Sequence, residues 1–255
     1  MNNPILTESN YHSPEANMFY MSATQYRRFC ECECLALAEL RGEHQFEPSA
    51  ALLIGSYVDA HFSGTLDQFK ERNPVIFRRD GSLKSEYEHA NYIIQRIEHD
   101  DHMMAALSGE KQVILTGQIE GVPVKIKIDS MLPDRTVDQK IMRDLEDIYV
   151  PGEGRKPFWI AWGYHYQAAI YQEIRAQNEG GKKKPFGLAV ATKEKPEPDI
   201  ALFELPQPEL DLALEEIRYN IVHFDSLKKD LYDPEPCGIC PVCRREKKLN
   251  GWVLL

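Results

Sequence analysis

Asp129, Asp138 and Lys140 are the residues of this 255-residue chain whose types and spacing best suit catalysis. Two carboxylates close together can share a hard divalent cation such as Mg²⁺, which takes oxygen ligands and keeps several waters. A neighbouring lysine can orient or help deprotonate an attacking water. Asp138 and Lys140 are two positions apart, so in a strand both project from one face while Gln139 turns away. The backbone carbonyl of Gln139 is then a further candidate ligand. The plain alternative is that Asp129 closes a strand, Asp138 opens one and Lys140 is a solvated edge charge, as charged residues near turns usually are. On the trio alone that alternative is the better one, and its company in the chain has to decide.

A second group lies in CGICPVC, where Cys237, Cys240 and Cys243 have C-x₂-C-x₂-C spacing. Three thiols so close together suit a metal better than core packing. The spacing matches the start of a bacterial iron–sulfur run and also the short intervals of Cys₄ zinc sites. The other three of the six cysteines, Cys30, Cys32 and Cys34, alternate inside a segment with a helical pattern. A regular helix spreads them around its axis, so at most one or two can join a common centre.

The elements that must position these groups follow from hydrophobic period. Val113, Leu115, Gly117 and Ile119 alternate with more polar neighbours, Glu120-Gly121 supplies a hairpin turn, and Val122, Val124, Ile126 and Ile128 alternate again. Pro133-Asp134 marks a turn, and residues 136–141 read as a third strand. Upstream, 22–40 reads as one helix with Ser22 and Gln25 as a capping box, and 49–62 as a second, carrying GSYVDAHF and His61. Residues 64–111 read as a helical insertion with a long polar helix over 86–97. Downstream, 144–156 reads as a loop and 158–176 as a helix with Gln167 and Tyr171 on one face. Two more strands over 186–193 and 199–205 and a closing helix over 209–231 complete an α/β sandwich.

Composition bounds the function. With 43% hydrophobic and 10% aromatic residues the chain can bury a substantial core. A formal net charge of −10 argues against a protein that coats nucleic acid indiscriminately, though local basic runs at 182–184 and 244–248 are candidate tracks. No secretory signal and no apolar stretch of bilayer-spanning length is visible, so a soluble, cytoplasmic protein is expected, with no membrane partner. In such a reducing setting the cysteines suit ligands rather than disulfides.

Taken together, Asp129, then Asp138-Gln139-Lys140, then Gln167 and Tyr171 on the next helix, with His61 upstream, resemble the RecB-type branch of the PD-(D/E)xK nucleases. Through SATQYRRFCECECLALAEL, the GSYVDAHF helix and the cysteine-rich C-terminus the chain most resembles phage and prophage RecE-type exonucleases. The first motif departs in lacking its proline, reading Ile128-Asp129, and the second acid is Asp rather than Glu. The resemblance implies a restriction-endonuclease-like core, a mixed sheet flanked by helices, with an N-terminal helical region and a cysteine-bound C-terminus. It places one nuclease domain over 21–248, after an extension at 1–20 and before a tail at 249–255. His61, Asp129 and Asp138, with the Gln139 carbonyl, would hold Mg²⁺ or Mn²⁺. Lys140 would handle the attacking water and the phosphate charge, and Gln167 and Tyr171 would position the scissile strand or brace the centre. The resemblance further implies a [4Fe-4S] cluster on Cys32, Cys237, Cys240 and Cys243, with Zn²⁺ as the alternative. It implies DNA as substrate, a homo-oligomer and a single-strand annealing recombinase as a candidate partner. A CRISPR-adaptation or repair nuclease of the same branch, and a non-catalytic metal-stapled DNA-binding module, remain open beside the phage exonuclease.

Overall fold

The alternating strands form as their pattern requires and set the frame of the molecule. The computed structural model describes residues 4–45, 49–249 and 251; most of the tail expected at 249–255 and the first residues of the extension lie outside that description. Strands β1 (Glu110–Ile119) and β2 (Val122–Met131) pair antiparallel through the turn at Glu120-Gly121, where both residues take positive φ. A left-handed pair of this kind is the geometry a tight hairpin needs, and glycine adopts it without Cβ strain. Strand β3 (Thr136–Met142) meets β2 only at Ser130↔Val137 and Met131↔Thr136, then turns away to run parallel to β6 (Phe186–Thr192). Strand β7 (Ile200–Glu204) closes a five-stranded mixed sheet of order β1-β2-β3-β6-β7. A separate two-stranded ribbon, β4 (Ile148–Val150) and β5 (Gly154–Lys156), occupies the stretch expected to be loop.

The divergence of β2 from β3 leaves a fork. Farther along β2, part of the vacated edge is taken by the chain just before α2, with Met21 N–H donating to Pro123 O at 2.8 Å and Lys125 N–H to Met21 O at 2.9 Å. The connection from β2 to β3 is pinned by Arg175, a guanidinium only 2% exposed. It donates to Leu132 O at 2.7 Å, Arg135 O at 2.7 Å and Thr136 Oγ1 at 3.0 Å.

Helices cover both faces. In chain order they are α1 (Pro14–Phe19), α2 (Ala23–Glu31), α3 (Glu33–Leu40), α4 (Ala50–Phe62), α5 (Leu66–Arg72), α6 (Ser85–Glu98) and α7 (Asp101–Ala106). After the ribbon come α8 (Phe158–Ala161), α9 (Tyr164–Asn178), α10 (Gln207–Lys228) and α11 (Pro241–Arg245). One core packs Val124, Ile126 and Ile128 of β2 against α9, α10 and the Tyr26 and Phe29 rings of α2. The other packs Val137, Ala189 and Ala191 beneath Tyr57 of α4 and the Tyr87, Ala90, Ile94, Ile97 stripe of α6. The segment at 64–111 is therefore the layer that covers the second face of the sheet rather than a spacer. All seven residues of β6 are buried, as a central strand between two helical layers must be.

Two expected helices are each broken once. The helix expected over 22–40 stops at Cys32, which takes extended backbone, φ −171° and ψ 119°, and caps α3 by accepting the Leu35 N–H on its Sγ. Serine at 22 does cap α2, accepting from Gln25 N at 3.2 Å. The helix expected over 158–176 breaks at Gly163, whose φ of +67° favours glycine and where a Cβ would meet the Arg27 stem at 2.8 Å.

Two buried lysines tie the N-terminal segment down. Lys125 donates to Tyr11 O and to Asn17 Oδ1 at 2.7 Å, and Lys228 to Tyr20 O at 2.8 Å and Gln25 Oε1 at 3.2 Å. Burial pulls the Lys228 ammonium down to about 7 against Asp225, which raises it, and pulls Lys125 down to about 8. A lysine whose folded pKa lies below its unfolded value makes the unfolded state bind more protons between the two, so stability rises with pH across that window. Urea unfolding between pH 7 and 10 should show the rise, at most about 1.4 kcal/mol per pH unit for one group, and Lys228→Met should reduce it to the share that Lys125 contributes.

Candidate active site and cysteine centre

The fork between β2 and β3 gathers the carboxylates. Asp129, at the end of β2, accepts the Gln139 N–H on Oδ2 at 3.0 Å, a backbone donor left free because β3 has parted from β2. Its Oδ1 is 3.4 Å from Gln112 Nε2. Asp138 is nearly inaccessible and is held from two sides, by Gln167 Nε2 at 2.5 Å on Oδ1 and by Lys140 Nζ at 2.5 Å from Oδ2. Oδ2 receives no well-aligned hydrogen bond, so the lysine neutralises that oxygen without fully satisfying it. The Lys140 ammonium also sits 4.9 Å above the Tyr164 ring. Tyr171 donates to Lys127 O at 3.0 Å and so fastens α9 to β2 rather than reaching a carboxylate. The Gln139 amide side chain is buried, with its Nε2 unpartnered.

His61 does not join this group. Its Nε2 lies 2.8 Å from Glu98 of α6, and it is absent from the cleft wall. The residue that α4 presents to the fork is Asp59. A helix turns by ~100° per residue, so positions 59 and 61 lie roughly 200° apart and cannot share a face. Gly55 is the marker of the right face, because it packs next to Ile141 of β3; Asp59, one turn on, shares that side. The sequence alone does not say which face of α4 meets β3, so Asp59 is a residue that sequence reasoning missed.

Electrostatics agree with the geometry. Burial pushes the Asp129 carboxyl well above the usual carboxylate range, and the charges of Asp138 and Asp59 add to it. Asp59 is likewise raised, first by burial and then by Asp138. Burial alone would lower the Lys140 ammonium, but Asp138, Tyr164 and Asp129 outweigh it and hold lysine charged. The Asp138 charge opposes the ionisation of both Asp129 and Asp59, against the attraction of Lys140 and, at Asp59, of Lys127 and Lys111 as well; such carboxylates are oxygen donors of the kind a hard divalent cation takes.

The fork opens into a cleft of approximately 1520 Å³ whose walls include Arg27, Lys127, Lys193, Trp162, Tyr164 and Tyr166. The basic run at 182–184 is elsewhere, with Lys183 paired to Asp211 and Lys184 to Glu179, each at 2.7 Å. Local cation density at the fork thus comes from residues scattered through the sequence.

The break at Cys32 brings its thiol to the C-terminal cysteines. Cys32, Cys237, Cys240 and Cys243 place all four Sγ atoms within 4.8 Å of one another. Cys34 instead directs its Sγ at Pro234 O, 3.7 Å away, and Cys30 is exposed on α2.

Residues 22–246 match the model of a family described as a PDDEXK-like domain of unknown function (DUF3799). The chain belongs to this family. A crystal structure from Eubacterium rectale, provisionally designated an exonuclease, superposes on it with a TM-score of 0.92 and 40% identity over 98% of this chain and 97% of that one. The solved structure of SSO0001 overlaps much less, with a TM-score of 0.29 and 12% identity over 74% and 84% of the two chains, and carries no argument. Comparison with curated proteins gives no match. The match places the chain in the PD-(D/E)xK superfamily. Among the described residues no helix is long and apolar enough to cross a membrane.

Proposed function

We propose that this PDDEXK-like protein is a metal-dependent deoxyribonuclease that hydrolyses phosphodiester bonds from DNA ends. The observation that carries the reading is the fork, in which Asp138 is clamped between Lys140 and Gln167 beside Asp129 and opens onto a cleft lined by cations and aromatic rings. Asp59, Asp129 and Asp138, with the Gln139 carbonyl as a further donor, would hold Mg²⁺ or Mn²⁺; the cation supplies an activated water and charge neutralisation at the phosphate. Lys140 is kept protonated by its acidic neighbours, so it acts as a fixed positive charge facing the phosphoryl oxygens rather than as a base. Gln167 fixes which way the Asp138 carboxylate faces, and Tyr171 holds α9 at the distance from β2 that Gln167 requires. Trp162 and Tyr166 on the cleft wall offer faces on which unpaired bases can stack.

Exonuclease action is supported by the designation of the 40% identical E. rectale structure. A role in phage recombination beside a single-strand annealing partner, in the cytoplasm and as a homo-oligomer, follows from the RecE-type resemblance. End-labelled duplex and single-stranded DNA incubated with the protein and Mg²⁺ should shorten progressively from the ends, and EDTA should stop it. Cleavage that survives EDTA would overturn the metal-dependent reading, and internal nicking of closed circles would overturn the exonuclease reading.

A further inference from the structure

The four thiols pose a question of size, because an iron–sulfur cube and a single ion need different spacings. Cys32 Sγ lies 3.7 Å from Cys240 Sγ and 3.6 Å from Cys243 Sγ, and Cys237 Sγ lies 3.9 Å from Cys243 Sγ. A single Zn²⁺ with Zn–S bonds of about 2.3 Å in a tetrahedron sets the sulfur–sulfur edge at about 3.8 Å. A cube of four irons and four sulfides puts an iron between each thiolate and the centre, which spreads the cysteine sulfurs to roughly 6 Å. The cluster implied by the RecB-type resemblance does not fit this site. We propose that Cys32, Cys237, Cys240 and Cys243 hold one tetrahedral Zn²⁺, a structural clasp independent of the nuclease reading.

The surrounding backbone supports the smaller centre. Cys32 caps α3 and Cys240 caps α11, so two of the sulfurs are anchored at helix N-termini. Their Sγ atoms accept backbone N–H groups, from Leu35 at 3.5 Å and from Cys243 at 3.3 Å, and Cys237 Sγ accepts the Cys240 N–H at 3.3 Å. Such bonds favour the thiolate that zinc requires. Gly238, at φ +73°, makes the turn that folds Cys237 back over Cys240. Cys32 and Cys243 are both 6% exposed, and Val242 beside them is buried at 7%. Opening the sulfurs to cube spacing would pull α11 off α3 and uncover those side chains. A closed set of four protein ligands leaves no position for substrate, which marks the centre as structural rather than catalytic. It joins parts of the chain 211 residues apart.

The full-length protein, purified anaerobically from cells grown with both iron and zinc, decides the matter. Expected are about one zinc per chain, no acid-labile sulfide, no visible absorption, and an X-ray absorption spectrum at the zinc edge fitted by four sulfur neighbours. Replacement of zinc by Co²⁺ should give the intense visible bands of a tetrahedral tetrathiolate. Brown protein with equimolar iron and sulfide would overturn the proposal, as would protein that retains no metal or a zinc shell with nitrogen or oxygen donors. Cys32→Ser should weaken zinc retention against a chromogenic chelator roughly 100-fold or more, while Cys30→Ser and Cys34→Ser leave it unchanged. Loss of zinc in Cys34→Ser with retention in Cys32→Ser would overturn the assigned ligand set. If Cys32→Ser does not fold, the zinc-edge spectrum of the wild-type protein still decides.

Discussion

Asp129→Asn should abolish cleavage, by on the order of 10³-fold or more, and should leave the metal-free protein as stable as wild type or more so. The two effects have one cause. Asp129 sits half-buried at the fork, where loss of solvent, Asp138 and Asp59 all resist its ionisation, so its folded pKa is raised above the unfolded value. The folded state then holds its proton longer than the unfolded chain does. Stability contributed at low pH is lost as pH rises from the unfolded pKa through the raised folded one, and at neutral pH the charge is a net cost. Asparagine keeps an oxygen to accept the Gln139 N–H that Asp129 now accepts at 3.0 Å, and it removes the charge. A bound divalent cation relieves the same repulsion, so Mg²⁺ should raise the melting temperature of the wild type and not that of Asp129→Asn. Melting curves with and without Mg²⁺ across pH 5–8, set beside the nuclease assay, check both halves. A metal-independent melting temperature in the wild type would count against Asp129 as a ligand.

The second large effect separates two neighbours on one helix. Asp59→Asn should cut activity 10- to 100-fold and raise the Mg²⁺ concentration needed for half-maximal rate, whereas His61→Ala should change activity less than about threefold. Asp59 faces the fork and feels the Asp138 charge, while His61 is half exposed and paired with Glu98 on the opposite side of α4. An exposed pair of that kind contributes about 0–1 kcal/mol, so His61→Ala costs little stability either. Mg²⁺ titrations of both variants at fixed DNA concentration make the comparison direct. A His61→Ala protein that loses activity while Asp59→Asn keeps it would reverse the placement of α4 against the sheet.

The sequence by itself determined the strands and the acids they carry. Alternation at 113–119 and 122–128, the Glu120-Gly121 turn and the D-x-K spacing are local features, because a period of two and a left-handed turn are properties of neighbouring residues. The same holds for Gln167 and Tyr171, whose separation of one helical turn puts both toward β2 and β3. The three C-terminal cysteines announced themselves by spacing. What local pattern could not supply is everything that depends on where two distant segments meet. That β3 leaves β2 after two pairs, and so frees the Gln139 N–H for Asp129, depends on the competing parallel pairing with β6. Helical periodicity gave no sign that the chain would stop being helical at Cys32; the extended backbone there serves α3 and the distant C-terminal thiols together. His61 was the more familiar ligand type, but the rotation of α4 is set by Tyr57, Val58 and Ile54 entering the second core, and that burial turns Asp59 to the fork. Side-chain identity is written in the sequence; which face of an element looks at the site is decided by which of its apolar residues the rest of the fold can bury.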